Sequence, residues 1–283
     1  MTYQQMWRRL AQVYDEGEAK AIARIVFEER YGLSFSDLLM GRDAEVPADE
    51  TEQLALRLER QEPVQYVLGR ADFCGRGFRV TPAVLIPRPE TEELCRWLMA
   101  EGRWLMAEGR WLMADGAAIL DIGTGSGCIA ITLAAELPAA QVTAWDISAE
   151  ALMVARQNAA LHQVSVVFEQ RDALHAPTDH ARWDVIVSNP PYIIDKEREA
   201  MERNVLEHEP HQALFVPDDD PLLFYRAIAR YGLQSLKSNG WLYFEINPLF
   251  ADELAHLISM MSYHDIEIKA DSYGKQRMLR ARR

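Results

Sequence analysis

The second half of the chain alternates between short apolar runs and longer segments of helical periodicity, from residue 117 onward. Such alternation predicts an α/β domain with a mostly parallel sheet covered by helices on both faces. Ligands of such sheets bind at the carboxyl ends of the strands, near the point where the strand order reverses. The predicted strands are 118–121, 141–146, 164–168, 183–188 and 240–246, with a closing pair at 264–269 and 277–280. The predicted helices are 129–137, 149–161, 222–236 and 251–260.

The region before residue 117 has a different character. Its first 62 residues space their apolar positions as helices do, which predicts a small helical domain that packs or binds a partner. The following runs Val64–Gly69 and Phe78–Val80 are rich in β-prone residues and punctuated by glycine, and they predict a β-hairpin linker. The predicted domains are therefore a helical domain at 1–62, a linker at 63–88 and an α/β domain at 89–283.

A helix is expected to start at Glu90 or Thr91, and it leads into a seven-residue unit that occurs three times. The copies read RWLMAEG, RWLMAEG and RWLMADG and span residues 96–116. Four adjacent apolar residues per copy do not form the two-position seam of a coiled coil. We interpret the repeat as a tandem duplication that lengthens a helix by about 14 residues, or about 21 Å. The alternative is an aromatic stripe that serves an interface, formed by Trp97, Trp104 and Trp111.

Composition and charge exclude several classes of protein. The chain of 283 residues carries a formal net charge of -13, and its pI is near 5.0. An acidic surface repels phosphate backbones, so general nucleic-acid binding is disfavoured, whereas a basic protein partner or a cationic cofactor is compatible. The three cysteines lack metal-ligand spacing and predict neither a disulfide framework nor a metal site. No apolar run resembles a signal peptide or a membrane span, which predicts a cytoplasmic protein.

A glycine-rich loop follows the first strand of the predicted α/β domain and opens the next helix. It reads DIGTGSG, from Asp121 to Gly127. Glycines let the backbone approach a ligand closely, and a helix N-terminus offers unpaired N–H groups. The dinucleotide pattern G-x-G-x-x-G needs a glycine where this chain has Cys128, and the sequence contains no phosphate-binding P-loop. A tight turn without a ligand is the alternative for such a loop.

Two aspartates lie at the ends of the next two predicted strands. Asp146 ends the second strand, where a carboxylate can accept hydrogen bonds from both hydroxyls of a ribose. Asp172 follows the third strand, where it can accept from an adenine amino group. Either aspartate alone is explained as well by a helix N-cap. The loop and both aspartates together favour an adenosine-bearing cofactor that needs no phosphate site. S-adenosylmethionine fits, and an acidic pocket that includes Asp121 suits its sulfonium cation.

The segment SNPPY, from Ser188 to Tyr192, follows the fourth predicted strand. An amide or aryl-amino nitrogen is a poor nucleophile because its lone pair is delocalised. The side-chain oxygen of Asn189 and the carbonyl oxygen of Pro190 can each accept one N–H of such a group and so orient its nitrogen. Pro191 stiffens the loop, and Tyr192 offers a ring face to the planar group. No strong general base is required, since the nitrogen becomes acidic after methylation. The alternative is a proline turn after a strand.

With its flanking residues, this pattern resembles the PrmC/HemK family of release-factor glutamine methyltransferases. The resemblance covers nearly the whole chain. It departs at the heptad repeat and at Glu245-Ile246-Asn247-Pro248, which lacks the glycine usual after the glutamate. Besides the loop and NPPY, the motifs that carry it are EPVQY at 62–66, LIPRPETE at 85–92, and Tyr273-Gly274 with Arg277.

The resemblance implies a Rossmann-like, seven-stranded, S-adenosylmethionine-dependent methyltransferase domain and a helical N-terminal domain that grips a release factor. The implied target is the glutamine of the Gly-Gly-Gln motif in bacterial peptide chain release factors. The implied catalytic residues are Asn189, Pro190 and Tyr192, and Pro191, Arg88 and Glu90 would join them in lining the glutamine site. The implied cofactor contacts are Asp121, Gly123, Thr124, Gly125, Ser126, Gly127, Asp146, Asp172 and Asn189.

Three other functions stay open on the sequence alone. A nucleic-acid amino methyltransferase shares NPPY, but it predicts a basic face and base flipping, which the charge of -13 disfavours. A methyltransferase that acts on a glutamine of a ribosomal protein would use the same chemistry. A non-catalytic binding protein would keep the fold, but the intact segment Asn189–Tyr192 disfavours it. We expect a monomer that binds no nucleic acid directly and no membrane.

Overall fold

A computed structural model of the protein describes residues 1–107, of which 101–107 as backbone only, and residues 116–283. The described chain forms two compact units. Unit 1 comprises Met1–Arg70 and Met201–Glu209, and unit 2 comprises Ala71–Ala200 and Pro210–Arg283. The chain thus returns to unit 1 for a short segment far along the sequence, which no pattern in the sequence indicates.

The bounds of the elements are as follows. The α-helices of the described residues are α1 (Tyr3–Leu10), α2 (Glu16–Tyr31), α3 (Phe35–Leu39), α4 (Ala48–Glu59), α5 (Val64–Leu68), α6 (Pro89–Ala107), α7 (Cys128–Glu136), α8 (Ala149–Leu161), α9 (Arg203–His208), α10 (Leu223–Ser235) and α11 (Ala251–Met260). The strands are β1 (Arg70–Phe73), β2 (Arg76–Arg79), β3 (Ala118–Ile122), β4 (Gln141–Asp146), β5 (Val166–Gln170), β6 (Trp183–Ser188), β7 (Ile193–Ile194), β8 (Phe215–Val216), β9 (Leu236–Glu245), β10 (His264–Ala270) and β11 (Gln276–Arg282). No helix in this part of the chain is both long and apolar enough to cross a bilayer.

Unit 1 is helical, as predicted from its periodicity. The side chains of Thr2, Asp15 and Ser34 cap α1, α2 and α3, each accepting a hydrogen bond from a backbone N–H of the first turn. Val26 and Phe27 of α2 are fully buried in a core that also takes residues from α1 and α4. The apolar face of each helix therefore builds this core.

The prediction that the run Val64–Gly69 is β-structure is wrong, because Val64–Leu68 forms the short helix α5. The carbonyl of Pro63 accepts the N–H groups of Tyr66 and Val67, at 2.9 and 3.0 Å, and Gly69 ends the helix with a φ of +71°. Proline before a helix and glycine after it are start and stop signals, and burial of the apolar side chains outweighs β propensity here. The predicted hairpin exists, but as the two strands β1 and β2.

Unit 2 contains a seven-stranded sheet in the order β10-β11-β9-β6-β3-β4-β5. Five strands run parallel, while β11 is antiparallel to β9 and β10 is antiparallel to β11. Neighbouring side chains of a strand point to opposite faces, so Ile119 joins a core with α6 and α7, whereas Leu120 joins a core with α10 and α11. The predicted α/β architecture is confirmed.

Several predicted boundaries in unit 2 are displaced, and three of these displacements have a physical reason in the structure. β5 begins at Val166 because Val164 still closes α8: its N–H donates to the carbonyl of Ala159 at 3.1 Å, and Gln163 takes a φ of 56°. β9 begins at Leu236, which pairs with Trp183 of β6, although the polar residues after Leu236 obscure the strand in the sequence. α6 begins at Pro89, since the fixed φ of proline suits the first helical position.

α6 runs through the first copy of the heptad repeat. Trp97 in this copy is 5% exposed, and its ring lies edge-on to that of Tyr243, with 5.6 Å between the centroids. The guanidinium of Arg280 lies 5.0 Å from the same ring. Trp97 is therefore a core residue and not part of an exposed stripe, because its face of α6 covers the sheet. The side chain of Trp104 and all of residues 108–115, Trp111 among them, lie outside the described residues.

Candidate active site

A cavity lies at the carboxyl ends of the parallel strands of unit 2. β4 and β5 follow on one side of β3, and β6 lies on the other side, so the strand order reverses between β3 and β6. Ligands bind at such a point in α/β sheets. The cavity has a volume of about 230 Å³. The predicted site residues on its wall are Gly123, Gly125, Asp146, Asp172, Asn189, Pro190 and Pro191.

The glycine loop is tightly folded onto the neighbouring strand. The N–H groups of Gly123 and Thr124 both donate to the carbonyl of Trp145, at 2.9 Å each. Gly125 has a φ of +55°, and a Cβ atom there would meet no atom within 4 Å, because the residue faces open space at the cavity wall. Gly127 has a φ of +83°, and a Cβ atom there would lie 2.8 Å from the side chain of Ile131. The two glycines thus have different roles: Gly125 leaves room for a ligand to approach the backbone, and Gly127 allows the loop to pack closely against α7.

Asp121 lies fully buried beneath the loop that it starts. Its Oδ2 accepts hydrogen bonds from the hydroxyl of Thr124 at 2.6 Å and from the N–H of Ala130 at 3.2 Å. Its Oδ1 has no hydrogen-bond partner among the described residues. Burial raises the pKa of Asp121 to about 7, although the two hydrogen bonds act to lower it. Asp121 therefore holds the loop to α7.

Two aspartates on the wall are anchored by backbone N–H groups. The Oδ2 of Asp146 accepts from Gly125 and its Oδ1 from Ser148, at 2.9 Å each, and burial raises the pKa of Asp146. Asp172 caps a short turn through Leu174 N–H at 2.8 Å and contacts His175 Nδ1 at 2.6 Å. Partial burial acts to raise the pKa of Asp172, but these two hydrogen bonds lower it. Asp172 is thus a helix cap and a wall residue at once.

The segment after β6 brings two uncommitted oxygens to the cavity. The hydroxyl of Ser188 donates to the carbonyl of Ile122 at 2.6 Å and ties the end of β6 to β3. The side-chain nitrogen of Asn189 donates to the hydroxyl of Thr91 at 3.1 Å. Within the described part of the chain, neither Asn189 Oδ1 nor the carbonyl oxygen of Pro190 takes part in a hydrogen bond between protein groups. Two acceptors therefore remain for a ligand with two N–H donors.

Six predicted site residues besides Asp121 lie away from the wall. These six described residues, which do not line the cavity, are Thr124, Ser126, Gly127, Tyr192, Arg88 and Glu90. The hydroxyl of Tyr192 donates to Glu245 Oε1 at 3.0 Å, and burial raises the pKa of this hydroxyl well above its usual value. Direct contact of these six with a ligand stays a prediction.

Thr91, Glu245 and Asn247 support the site, although no motif in the sequence indicates a role for them there. The hydroxyl of Thr91 donates to Glu245 Oε2 at 2.6 Å, in the interior of unit 2. The side-chain nitrogen of Asn247 donates to the carbonyl of Tyr192 at 3.1 Å and to Glu197 at 2.9 Å. One signal was available: a carboxylate at the end of an apolar strand, beside the strand that leads to Asn189, is an unusual place for a charge.

The chain matches two family profiles, the PrmC N-terminal domain over residues 3–69 and the methyltransferase small domain over residues 109–214. A release factor glutamine methyltransferase from Bacteroides thetaiotaomicron is 44% identical over 278 residues, which cover 97% of this chain and 96% of that protein. The protein of the same name from Flavobacterium psychrophilum is 40% identical over 279 residues, covering 98% and 96%. A methyltransferase structure from Pyrococcus furiosus has the same fold, with a TM-score of 0.50 and 15% identity over 82% of this chain and 98% of that one.

Proposed function

The chain belongs to the family of release factor glutamine methyltransferases and is an S-adenosylmethionine-dependent methyltransferase, and on that premise we propose its substrate and its site. We propose that it methylates the side-chain amide nitrogen of the glutamine in the Gly-Gly-Gln motif of peptide chain release factors. The observation that carries the proposal is the pair of uncommitted oxygens, Asn189 Oδ1 and the Pro190 carbonyl, on the wall of the cavity.

The residues around the cavity fit S-adenosylmethionine. Gly125 leaves open space where any other residue would place a Cβ atom. The carboxylates of Asp146 and Asp172 lie on the wall and keep lone pairs free after their hydrogen bonds to the chain, so they suit the hydroxyl and amino donors of an adenosine. The Oδ1 of Asp121, beneath the same loop, has no hydrogen-bond partner among the described residues and therefore keeps its capacity to accept a donor. We therefore propose the cofactor contacts predicted from the sequence.

The chain's own contribution to the reaction is to bind and orient an amide. Bound S-adenosylmethionine would supply an electrophilic methyl group, whose bond to the sulfonium sulfur breaks as the bond to nitrogen forms, so that a neutral thioether leaves. Asn189 Oδ1 and the Pro190 carbonyl each accept one N–H of the glutamine amide, which fixes the plane of the amide and the direction of its nitrogen. Both acceptors are neutral and remove no proton, so the nitrogen gives up a proton to water only after its bond to the methyl carbon has formed. As that bond forms, positive charge grows on the nitrogen, and the two oxygen dipoles stabilise it.

Charge favours a protein substrate over a nucleic acid. The chain carries a net charge of -13, and Arg171 is the one basic residue among the described residues on the wall of the cavity, which also carries Asp146 and Asp172. Arg171 also pairs with Glu169, with 3.1 Å between Nε and Oε2. A flipped base would bring phosphates to an acidic rim and lose affinity. A release factor substrate also places the reaction in the cytoplasm.

The test is transfer of labelled methyl from S-adenosylmethionine to a purified, unmethylated release factor, beside the same factor with its Gly-Gly-Gln glutamine changed to alanine. Label in the first and none in the second is the expected result. Equal label in both would overturn the target, and label found only on a ribosomal protein or on RNA would favour those substrates instead.

We propose that the monomer is the active form, because the proposed catalytic and cofactor residues all belong to unit 2 of one chain. Light scattering of the active enzyme tests this proposal.

A further inference from the structure

We propose that Thr91 and Glu245 are positioning residues for Asn189. Glu245 accepts the hydroxyl proton of Thr91, Thr91 in turn accepts from the side-chain nitrogen of Asn189, and the side-chain oxygen Oδ1 of Asn189 is thereby turned toward the substrate. The inference rests on the proposed function, since it assumes that this oxygen accepts an N–H of the substrate amide. It adds two residues that touch neither the substrate nor the cofactor and act only through Asn189.

The sheet brings the members of this chain together. β6 and β9 are neighbouring parallel strands, with Ser188 opposite Phe244, so Asn189 and Glu245 leave the sheet side by side. Thr91 in the first turn of α6 lies between them, with its hydroxyl 3.1 Å from Asn189 Nδ2 and 2.6 Å from Glu245 Oε2. Tyr192 closes the arrangement through its hydroxyl, 3.0 Å from Glu245 Oε1.

The direction of the hydrogen bonds follows from the number of protons. An ionised carboxylate only accepts, so the single hydroxyl proton of Thr91 must point to Glu245. The oxygen of Thr91 is then an acceptor toward Asn189 and can face only the amide nitrogen. The amide of Asn189 is planar, so this choice turns its oxygen the other way. Without a fixed partner, an asparagine amide can present either its oxygen or its NH2 group, and an NH2 group would repel the N–H donors of the substrate.

Burying the carboxylate of Glu245 costs free energy of folding, which a role in the function of the site would explain. Glu245 is 1% exposed, and Thr91 is 3% exposed. The pKa of Glu245 is raised, chiefly by burial and to a smaller extent by the charge of Glu90. The hydrogen bonds from Thr91 and Tyr192 and the charge of Arg277 act in the opposite direction. Both carboxylate oxygens are occupied by donors, which favours the ionised form on geometric grounds. A buried ionised group that merely tied two elements together would cost more than an apolar pair of the same shape.

A purely structural role for these residues is the competing explanation, since Thr91 also joins the start of α6 to β9. The two explanations differ in what the hydroxyl group does. If Thr91 only braces the fold, removing its hydroxyl lowers stability and leaves the turnover of the folded enzyme unchanged. If Thr91 orients Asn189, removing the hydroxyl lowers kcat while the affinity for S-adenosylmethionine holds.

The experiment compares Thr91→Val, Thr91→Ser and the control Thr132→Val. Valine keeps the shape of threonine without the hydroxyl, and serine keeps the hydroxyl. Thr132 is a fully buried threonine of α7 whose hydroxyl has no partner in the described chain, so its replacement controls for the loss of a buried hydroxyl as such. We expect Thr91→Val to lower kcat by about 10- to 100-fold. The KM for the release factor and the Kd for S-adenosylmethionine should change by less than about threefold, and Thr91→Ser and Thr132→Val should stay within about threefold of wild type in kcat.

A second measurement needs no substrate. In the free protein labelled with ¹⁵N on asparagine, the side-chain NH2 signals of Asn189 are identified by their loss in Asn189→Ala. We expect Thr91→Val to shift these signals toward the values of an unpaired amide, and Thr91→Ser to keep them. Unchanged signals in Thr91→Val, wild-type turnover in Thr91→Val, or equal loss of turnover in Thr91→Ser would each overturn the inference. Failure of the proposed function would appear differently, as a wild-type enzyme that labels no release factor, and the NMR result would still decide the hydrogen-bond chain.

Discussion

The two ends of the cavity are held in place in different ways. The cofactor end, defined as Gly123–Gly127 with Asp146, is held mainly by backbone hydrogen bonds to the neighbouring strand, and the carboxylate of Asp146 accepts from Gly125, only 21 residues away. The acceptor end, defined as Asn189–Tyr192, has a backbone hydrogen bond from Tyr192 to the carbonyl of Leu214, but it depends mainly on side-chain links to Thr91 and Glu245, which span 98 and 53 residues. A loop that binds through its backbone can be encoded locally, whereas an amide that must point one way needs partners from distant parts of the chain.

The largest expected effect comes from a substitution at the acceptor end, at Asn189. Asn189→Ala removes one of the two acceptors but only one of the nine proposed cofactor contacts, and it leaves Gly123–Gly127 and Asp146 unchanged. We expect kcat to fall by about 100- to 1,000-fold, as for the loss of one preorganised dipole in other enzymes, while the Kd for S-adenosylmethionine changes by less than about threefold. Methyl-transfer kinetics and calorimetric titration measure the two quantities. Full turnover in this variant would remove Asn189 from the mechanism.

Asp146→Ala weakens cofactor binding at the cofactor end instead. It removes a half-buried carboxylate with lone pairs on the cavity wall, so we expect the Kd for S-adenosylmethionine to rise by about 30-fold, while kcat at saturation stays within about threefold. Asp172→Ala is the matched comparison and should raise the Kd by about threefold, because the hydrogen bonds of Asp172 are exposed to solvent, whereas those of Asp146 are partly buried. Equal effects of the two changes on Kd would contradict the unequal roles assigned to them.

Gly127→Ala tests whether the cofactor end depends on packing as well as on contact with a ligand. A methyl group at Gly127 meets Ile131 and Ala155 at 2.8 and 3.2 Å in a backbone with positive φ, so we expect the free energy of unfolding to fall by about 2 kcal/mol. Gly274→Ala isolates the backbone component, since Gly274 has a φ of +81° and open space around it, and it should cost about 1 kcal/mol. Denaturant titration measures both; equal losses would show that packing at Gly127 contributes nothing.

Tyr192→Phe gives the smallest expected effect and sharpens the acceptor end. Its hydroxyl contacts Glu245 and does not reach the cavity, so we expect kcat to fall by only about threefold, through one lost hydrogen bond to a buried carboxylate. Transfer kinetics at saturating substrates measure the change. A loss as large as that of Asn189→Ala would mean that the hydroxyl acts on the substrate itself.

The same contrast explains what the sequence predicts well. The α/β domain, the glycine loop and the wall positions of Asp146 and Asn189 follow from periodicity and from motifs that lie within a few residues of a strand end. Val64–Leu68 was mistaken for a strand because β propensity is local, whereas the burial that makes it a helix depends on the rest of unit 1. The pairing of Thr91 with Glu245 was missed because two single side chains 154 residues apart leave no pattern that connects them, although they meet in the fold.

The division of the chain has a consequence for how the protein is made. Unit 1 includes Met201–Glu209, so its first 70 residues emerge from the ribosome long before the segment that completes it. At roughly 5 to 20 residues per second, synthesis of the intervening chain takes about 7 to 30 seconds. During that interval unit 1 lacks α9, while β3 to β6 of unit 2 are already being delivered. Unit 1 is therefore completed only after β3 to β6 of the catalytic sheet have been synthesised. A ribosome that stops before residue 209 releases a chain in which both units are incomplete.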